Sequence, residues 1–113
     1  MKFISIGAVL AIAALSTPFA AQADSRRAYC RYFPDDSKTA TVSMPCVFSM
    51  NQGNVGITWE DGASDYFLQR RDVPMNYTDE RGGYVYQRQR TDSNGQTVRM
   101  FKMENGSIHI WGS

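Results

Sequence analysis

The chain has 113 residues, of which 12 are Lys or Arg and 11 Asp or Glu, with one His and two Cys. This near-neutral balance excludes a general nucleic-acid binder, which would carry a basic excess, and a polybasic membrane-surface domain. The absence of a C-x-x-C pair and the single His exclude a Cys/His metal or redox centre, so neither a metal nor another cofactor is implied.

Lys2 opens the chain with a positive charge, and Phe3 to Leu15 is uncharged and mostly apolar. That run is too short to cross a bilayer, which takes roughly 20 residues. Pro18 ends it, and Ala21-Gln22-Ala23 places small residues where a signal peptidase reads. The pattern predicts a signal peptide over residues 1–23, cleaved before Asp24. The protein is then periplasmic or secreted, with no membrane span after cleavage, and it matures in an oxidising compartment. Lipidation at the cleavage site would need a Cys there, but the first one is Cys30, behind Arg26-Arg27.

Residues 24–113 form a single domain. Removing residues 1–23 removes only one charge, Lys2, which leaves the two signs in balance. A domain this small buries only roughly 60–65% of its unfolded surface, so a covalent staple matters. Cys30 and Cys46 are the only cysteines, and in an oxidising compartment they are expected to form a disulfide. Closing a loop of that length stabilises by roughly 3 kcal/mol in the chain-entropy account.

Beyond Asp24 the sequence consists of short alternating runs separated by turn residues. The runs predict about seven strands, near 27–33, 40–50, 54–60, 63–70, 83–90, 96–103 and 107–111. The implied fold is all-β, a small antiparallel β-barrel or sandwich with one disulfide. Pro34-Asp35-Asp36, Gln52-Gly53, Asp61-Gly62, Arg81-Gly82-Gly83, Asn94-Gly95 and Asn105-Gly106 are the turn signals.

With Gln52-Gly53 as a two-residue turn, Cys46 faces Trp59, Phe48 faces Ile57 and Met50 faces Val55. The disulfide then sits in the core beside an indole. A three-residue loop would reverse that strand and bury Val47. With Asp61-Gly62 as a two-residue turn, Val55, Ile57, Trp59, Tyr66 and Leu68 share the core face, and Phe67 is left on the other. Arg71 to Glu80 does not alternate and contains Pro74, so it reads as an irregular crossing segment. In the C-terminal meander, Asn105-Gly106 as the turn pairs Met103 with Ile108 and Phe101 with Ile110. A two- or four-residue loop across Asp92 to Gly95 then groups Tyr84, Tyr86, Phe101, Met103, Ile108 and Ile110 as core. The opposite face carries Val85, Gln87, Gln89, Val98, Met100, Lys102, His109 and Trp111. Trp59 is expected to be buried and Trp111 more exposed.

No catalytic residue is assigned. His109, the only imidazole, has no motif around it that marks a nucleophile and its base. The pairs Asp35-Asp36, Glu60-Asp61 and Asp79-Glu80 lie in turns, where solubility accounts for them. Neighbouring strand residues point to opposite faces, which does not set two carboxyls across one sugar. The five methionines after Asp24 read as gap-filling core rather than a copper site, since Met100 and Met103 differ by an odd number along one strand.

Arg88, Arg90 and Arg99 carry the candidate binding chemistry. They share the Tyr84 and Tyr86 face at the Asn94-Gly95 end, and like charges side by side on a sheet destabilise it. They are either a solvated rim near carboxylates such as Asp92 or a site for an anionic or carboxylate-bearing partner. The alternative surface is Met100, His109 and Trp111 on the opposite face. The partner class is a protein or anionic ligand in the envelope or outside the cell, with no nucleic acid.

Cys46 to Gly62 (Cys-Val-Phe-Ser-Met-Asn-Gln-Gly-Asn-Val-Gly-Ile-Thr-Trp-Glu-Asp-Gly) resembles a segment of a family of small exported bacterial β-domain proteins with no assigned activity. Asn105 to Trp111 resembles the end of the same proteins. A looser resemblance, carried by Tyr29-Cys30 in the first strand, is to periplasmic inhibitors of C-type lysozyme. Those are small antiparallel β-barrels with a disulfide. The first resemblance implies a non-catalytic binding module of unspecified ligand; the second implies, as the alternative, an inhibitor of lysozyme or another envelope-attacking hydrolase.

Overall fold

The computed structural model describes residues 24–112 apart from residue 36. The expected signal peptide and the Asp36 carboxylate lie outside the described residues. Eight strands follow one another: β1 (Asp24–Pro34), β2 (Val42–Asn51), β3 (Asn54–Trp59), β4 (Ser64–Gln69), β5 (Asn76–Thr78), β6 (Tyr84–Thr91), β7 (Thr97–Lys102) and β8 (Gly106–Trp111). Each pairs antiparallel with the next, and β8 pairs back with β1, so the sheet closes into a barrel. Closure leaves no unpaired sheet edge. Among the described residues no helix is long and apolar enough to cross a membrane.

The β2–β3 hairpin follows its sequence signal. Gln52 and Gly53 both take positive φ, 55° and 86°, as a two-residue type I′ turn requires. The register is then Cys46 to Trp59, Phe48 to Ile57 and Met50 to Val55.

The other glycine turns are built differently. The Trp59 amide donates to the Ala63 carbonyl, and the Gly62 amide donates back to the Trp59 carbonyl. Asp79 with Gly82 and Gly83, and Asp92 with Gly95 and Gln96, repeat this arrangement. Gly62, Gly82 and Gly95 have φ of 96°, 85° and 81°. Each loop is therefore three residues long, a type I turn followed by a left-handed glycine. Asp79 and Asp92 stabilise their loops by accepting two backbone amides each on Oδ1.

One residue of loop length reverses which side chains face inward. Two expectations are corrected for this reason. On β4, Phe67 is buried while Tyr66 and Leu68 are exposed, because Val55 pairs with Phe67 and Ile57 with Asp65. On β6, Val85 and Gln87 point into the barrel while Tyr84 and Tyr86 point out.

The last hairpin is shifted by two residues instead. Its turn is Glu104-Asn105, with the Met103 amide donating to the Gly106 carbonyl and Phe101 paired with Ile108. An even shift keeps parity, so Phe101, Met103, Ile108 and Ile110 are buried. Gly106 is needed at the end of this turn because a Cβ there would run into the Phe33 carbonyl and the Tyr32 hydroxyl.

The segment expected to be irregular contains β5. It pairs Leu68 with Thr78 on one side and Tyr77 with Val85 on the other, and so joins β4 to β6. Three residues are too few for alternation to register, yet without them the barrel would not close.

Phe101 sits at the centre of the core, with the rings of Phe67, Tyr77 and Phe48 at 5.3, 5.8 and 6.4 Å. The Cys30–Cys46 disulfide ties β1 to β2 inside the same cluster, across a Cα separation of 5.9 Å, beside Trp59. Met103 is buried, and Met44 and Met50 pack against the core, whereas Met75 is exposed. Toward the end that carries the β6–β7 loop, polar side chains enter the barrel interior. There the Arg99 guanidinium lies 4.9 Å from the Phe48 ring, and the Tyr77 hydroxyl donates to Gln87 Oε1 at 2.9 Å. The opposite end is hollow, with a cavity of about 490 Å³.

Candidate functional site on the outer face of β6, β7, β8 and β1

Strand register builds this site. Reading across β6, β7, β8 and β1, Arg90 pairs with Val98, Val98 with Trp111 and Trp111 with Tyr29. The next row inward is Arg88, Met100, His109 and Arg31, and the third is Tyr86, Lys102, Ser107 and Phe33. Because side chains alternate along each strand, all of these positions project outward together. The result is a continuous patch of aromatic rings and cations on one wall of the barrel.

Trp111 anchors one end. The Arg31 and Arg90 guanidiniums lie 5.3 and 5.9 Å from its ring, within cation–π range. Its indole Nε1 donates to Asp92 Oδ2 at 3.2 Å. The Asp92 carboxyl is held below its ordinary pKa, first by the Gln96 amide and then by the Asn94 amide, the indole and Arg90. Val98 lies between Arg90 and Trp111 in this row and is fully buried, although it faces away from the barrel core.

His109 forms the middle. Its ring packs against Phe33 with the centroids 4.4 Å apart and the planes tilted by 41°, and it stands 6.2 Å from Trp111. Burial, helped by Arg90, pushes its pKa below the ordinary imidazole value of 6.5. Nε2 lies 3.4 Å from Ser107 Oγ. Nδ1 is buried and has no hydrogen-bond partner among the described residues. Among the described residues, no group on Nδ1 orients His109 as the base of a nucleophilic triad would be oriented. Beside His109 is a cleft of about 230 Å³ lined by Tyr86, Arg88, Met100, Lys102 and Ser107. Arg88 also lies 5.5 Å from the Tyr86 ring.

Four cations, Arg31, Arg88, Arg90 and Lys102, share this wall. Asp92 at one end and Asp35, 2.9 Å from Lys102, at the other are the carboxylates in contact with it among the described residues. Cations held over aromatic faces, with few acids between them, are suited to binding carboxylates or other anions.

The sequence-derived residues sort differently from expectation. Arg88, Arg90 and Tyr86 join Met100, His109 and Trp111 on one surface, where the strand parity had placed them on opposite ones. Arg99 is not part of it. It faces into the barrel with Ile110 as its partner, and burial lowers its pKa. Tyr84 is outward but lies apart, under the Arg70 guanidinium at 4.9 Å. Arg70 is in turn paired to Asp72 at 2.8 Å. The disulfide residues Cys30 and Cys46 are bonded as expected.

Tyr29, Arg31, Phe33, Lys102 and Ser107 were not among the sequence-derived residues. The alternation Tyr29-x-Arg31-x-Phe33 marks a common face on β1. The pairing that lays it against β8 spans most of the chain, and no local pattern encodes it. Among the described residues no group of three potential metal ligands comes together. No protein-family model, no curated protein and no solved structure matches this chain.

Proposed function

We propose that the protein is an exported, non-catalytic binding module that recognises a carboxylate-bearing or otherwise anionic partner, a protein of the cell envelope or the medium. The observation that carries this reading is Trp111 flanked by Arg31 and Arg90, beside a cleft in which Arg88 and Lys102 stand next to His109. Aromatic and arginine side chains dominate the energetics of protein interfaces. A preformed wall of paired strands also presents them with little ordering cost. The Cys30–Cys46 disulfide fits a protein that works outside the reducing cytosol.

The test is capture from an envelope extract by the immobilised domain, beside an Arg31→Ser, Arg88→Ser, Arg90→Ser variant. The supported outcome is a partner held by the wild-type domain, lost from the folded variant, and released as salt rises, since exposed charges are screened over roughly 8–10 Å near physiological ionic strength. A partner held equally by both would remove this wall from the account.

A further inference from the structure

The hollow end of the barrel is chemically the reverse of the outer wall. Its cavity of about 490 Å³ has buried Trp59, Phe67, Met103 and Ile108 among its walls. The charged groups that line it are Asp61, Asp65, Asp79 and Glu80 against a single Arg81. Two of these carboxylates are already engaged locally: Asp61 Oδ1 accepts the Ala63 amide, and Asp79 Oδ1 accepts two amides of its own loop. The others retain capacity. Asp65 accepts the Trp59 indole on Oδ2 at 2.8 Å, and neither its Oδ1 nor Glu80 has a hydrogen bond among the described residues. Arg81 makes no ion pair with any of them among the described residues.

We propose that this mouth takes a small amphipathic organic cation, an ammonium or guanidinium on an apolar body. The size falls within the range of ligand cavities, and barrel mouths commonly hold them. A low-dielectric wall rimmed by one sign of charge concentrates the opposite sign. Trp59 and the half-exposed Tyr66, both in the lining, add ring faces to which a cation is drawn. The apolar body fills the barrel end, and the cationic head rests between Asp65 and Glu80.

The experiment uses the two indole N–H signals as separate reporters, assigned with a Trp111→Phe variant. The domain is titrated with octyltrimethylammonium, octanoate and octanol. The expected result is a saturable shift of the Trp59 signal with octyltrimethylammonium while the Trp111 signal stays in place. Octanoate and octanol bind at least roughly tenfold more weakly. An Asp65→Asn, Glu80→Gln variant, which keeps an acceptor for the Trp59 indole, loses roughly tenfold in affinity for the cation. Equal binding of all three probes, an unchanged affinity in the folded variant, or a stationary Trp59 signal with every probe would overturn the proposal.

Discussion

His109 shows how strongly its position on the wall governs one side chain. Burial disfavours its charged form, and Arg90 adds repulsion. Between its lowered folded value and the ordinary 6.5, the unfolded chain therefore binds a proton that the folded chain refuses. Stability falls as pH drops through that interval and is retained above it. An NMR titration should place the His109 pKa below 6.5. The loss of stability between about pH 7.5 and pH 5.5 should shrink in His109→Gln. Arg88 and Arg90 on β6, Lys102 on β7 and Arg31 on β1 all share its wall, so an anion bound among them should raise that pKa. The two tryptophans separate by burial. Trp59→Ala should cost about 3–5 kcal/mol in urea unfolding, because it empties core volume and removes the donor to Asp65. Trp111→Ala should cost on the order of 1 kcal/mol, the scale of surface cation–π contacts. Much at this scale was legible: the cysteine pair follows from there being two cysteines in a chain expected to be exported, and the burial of Trp59 from its place opposite Cys46. The inward turn of Arg99 was not legible, since nothing local marks a guanidinium that packs on a core phenylalanine.

Loop length is the quantity that decides the elements. Asp61-Gly62 and Asn94-Gly95 carry the dipeptides of a two-residue turn, yet both close three-residue loops with glycine last. The dipeptide names the turn, but the count of residues around it sets the parity of the following strand. That is why Phe67 was read outward, and why Tyr84 and Tyr86 were read as core. The even-length error at Asn105-Gly106 did no damage to the face assignments. Gly62, Gly82 and Gly95 have open space where a Cβ would go, so their substitution tests backbone strain alone. Each Gly→Ala change should cost about 1 kcal/mol by urea unfolding. A cost near zero at all of them would mean that the loops adopt another turn type. β5 escaped the sequence reading because a three-residue strand carries no period, and Pro74 and the left-handed Met75 just before it look like loop.

At the scale of the whole molecule, composition hides a segregation of charge. Residues 24–113 balance to zero, but the fold gathers cations on the β6–β7–β8–β1 wall and carboxylates around the hollow end. The sequence placed the chain correctly in the all-β class with one disulfide. It left barrel or sandwich open, because the β8–β1 pairing that closes the barrel joins the two ends of the domain. Cys46→Ser should lower stability by about 2–5 kcal/mol, the range for small domains that lose a bridge. The most direct test of the binding wall is an NMR titration of the isotope-labelled domain with a hexaglutamate peptide at low salt. The account predicts shifts confined to the outward residues of β6, β7, β8 and β1, led by the Trp111 indole and the His109 ring, which fade as salt is added. Shifts confined to the Trp59 end of the barrel, or none at all, would contradict it.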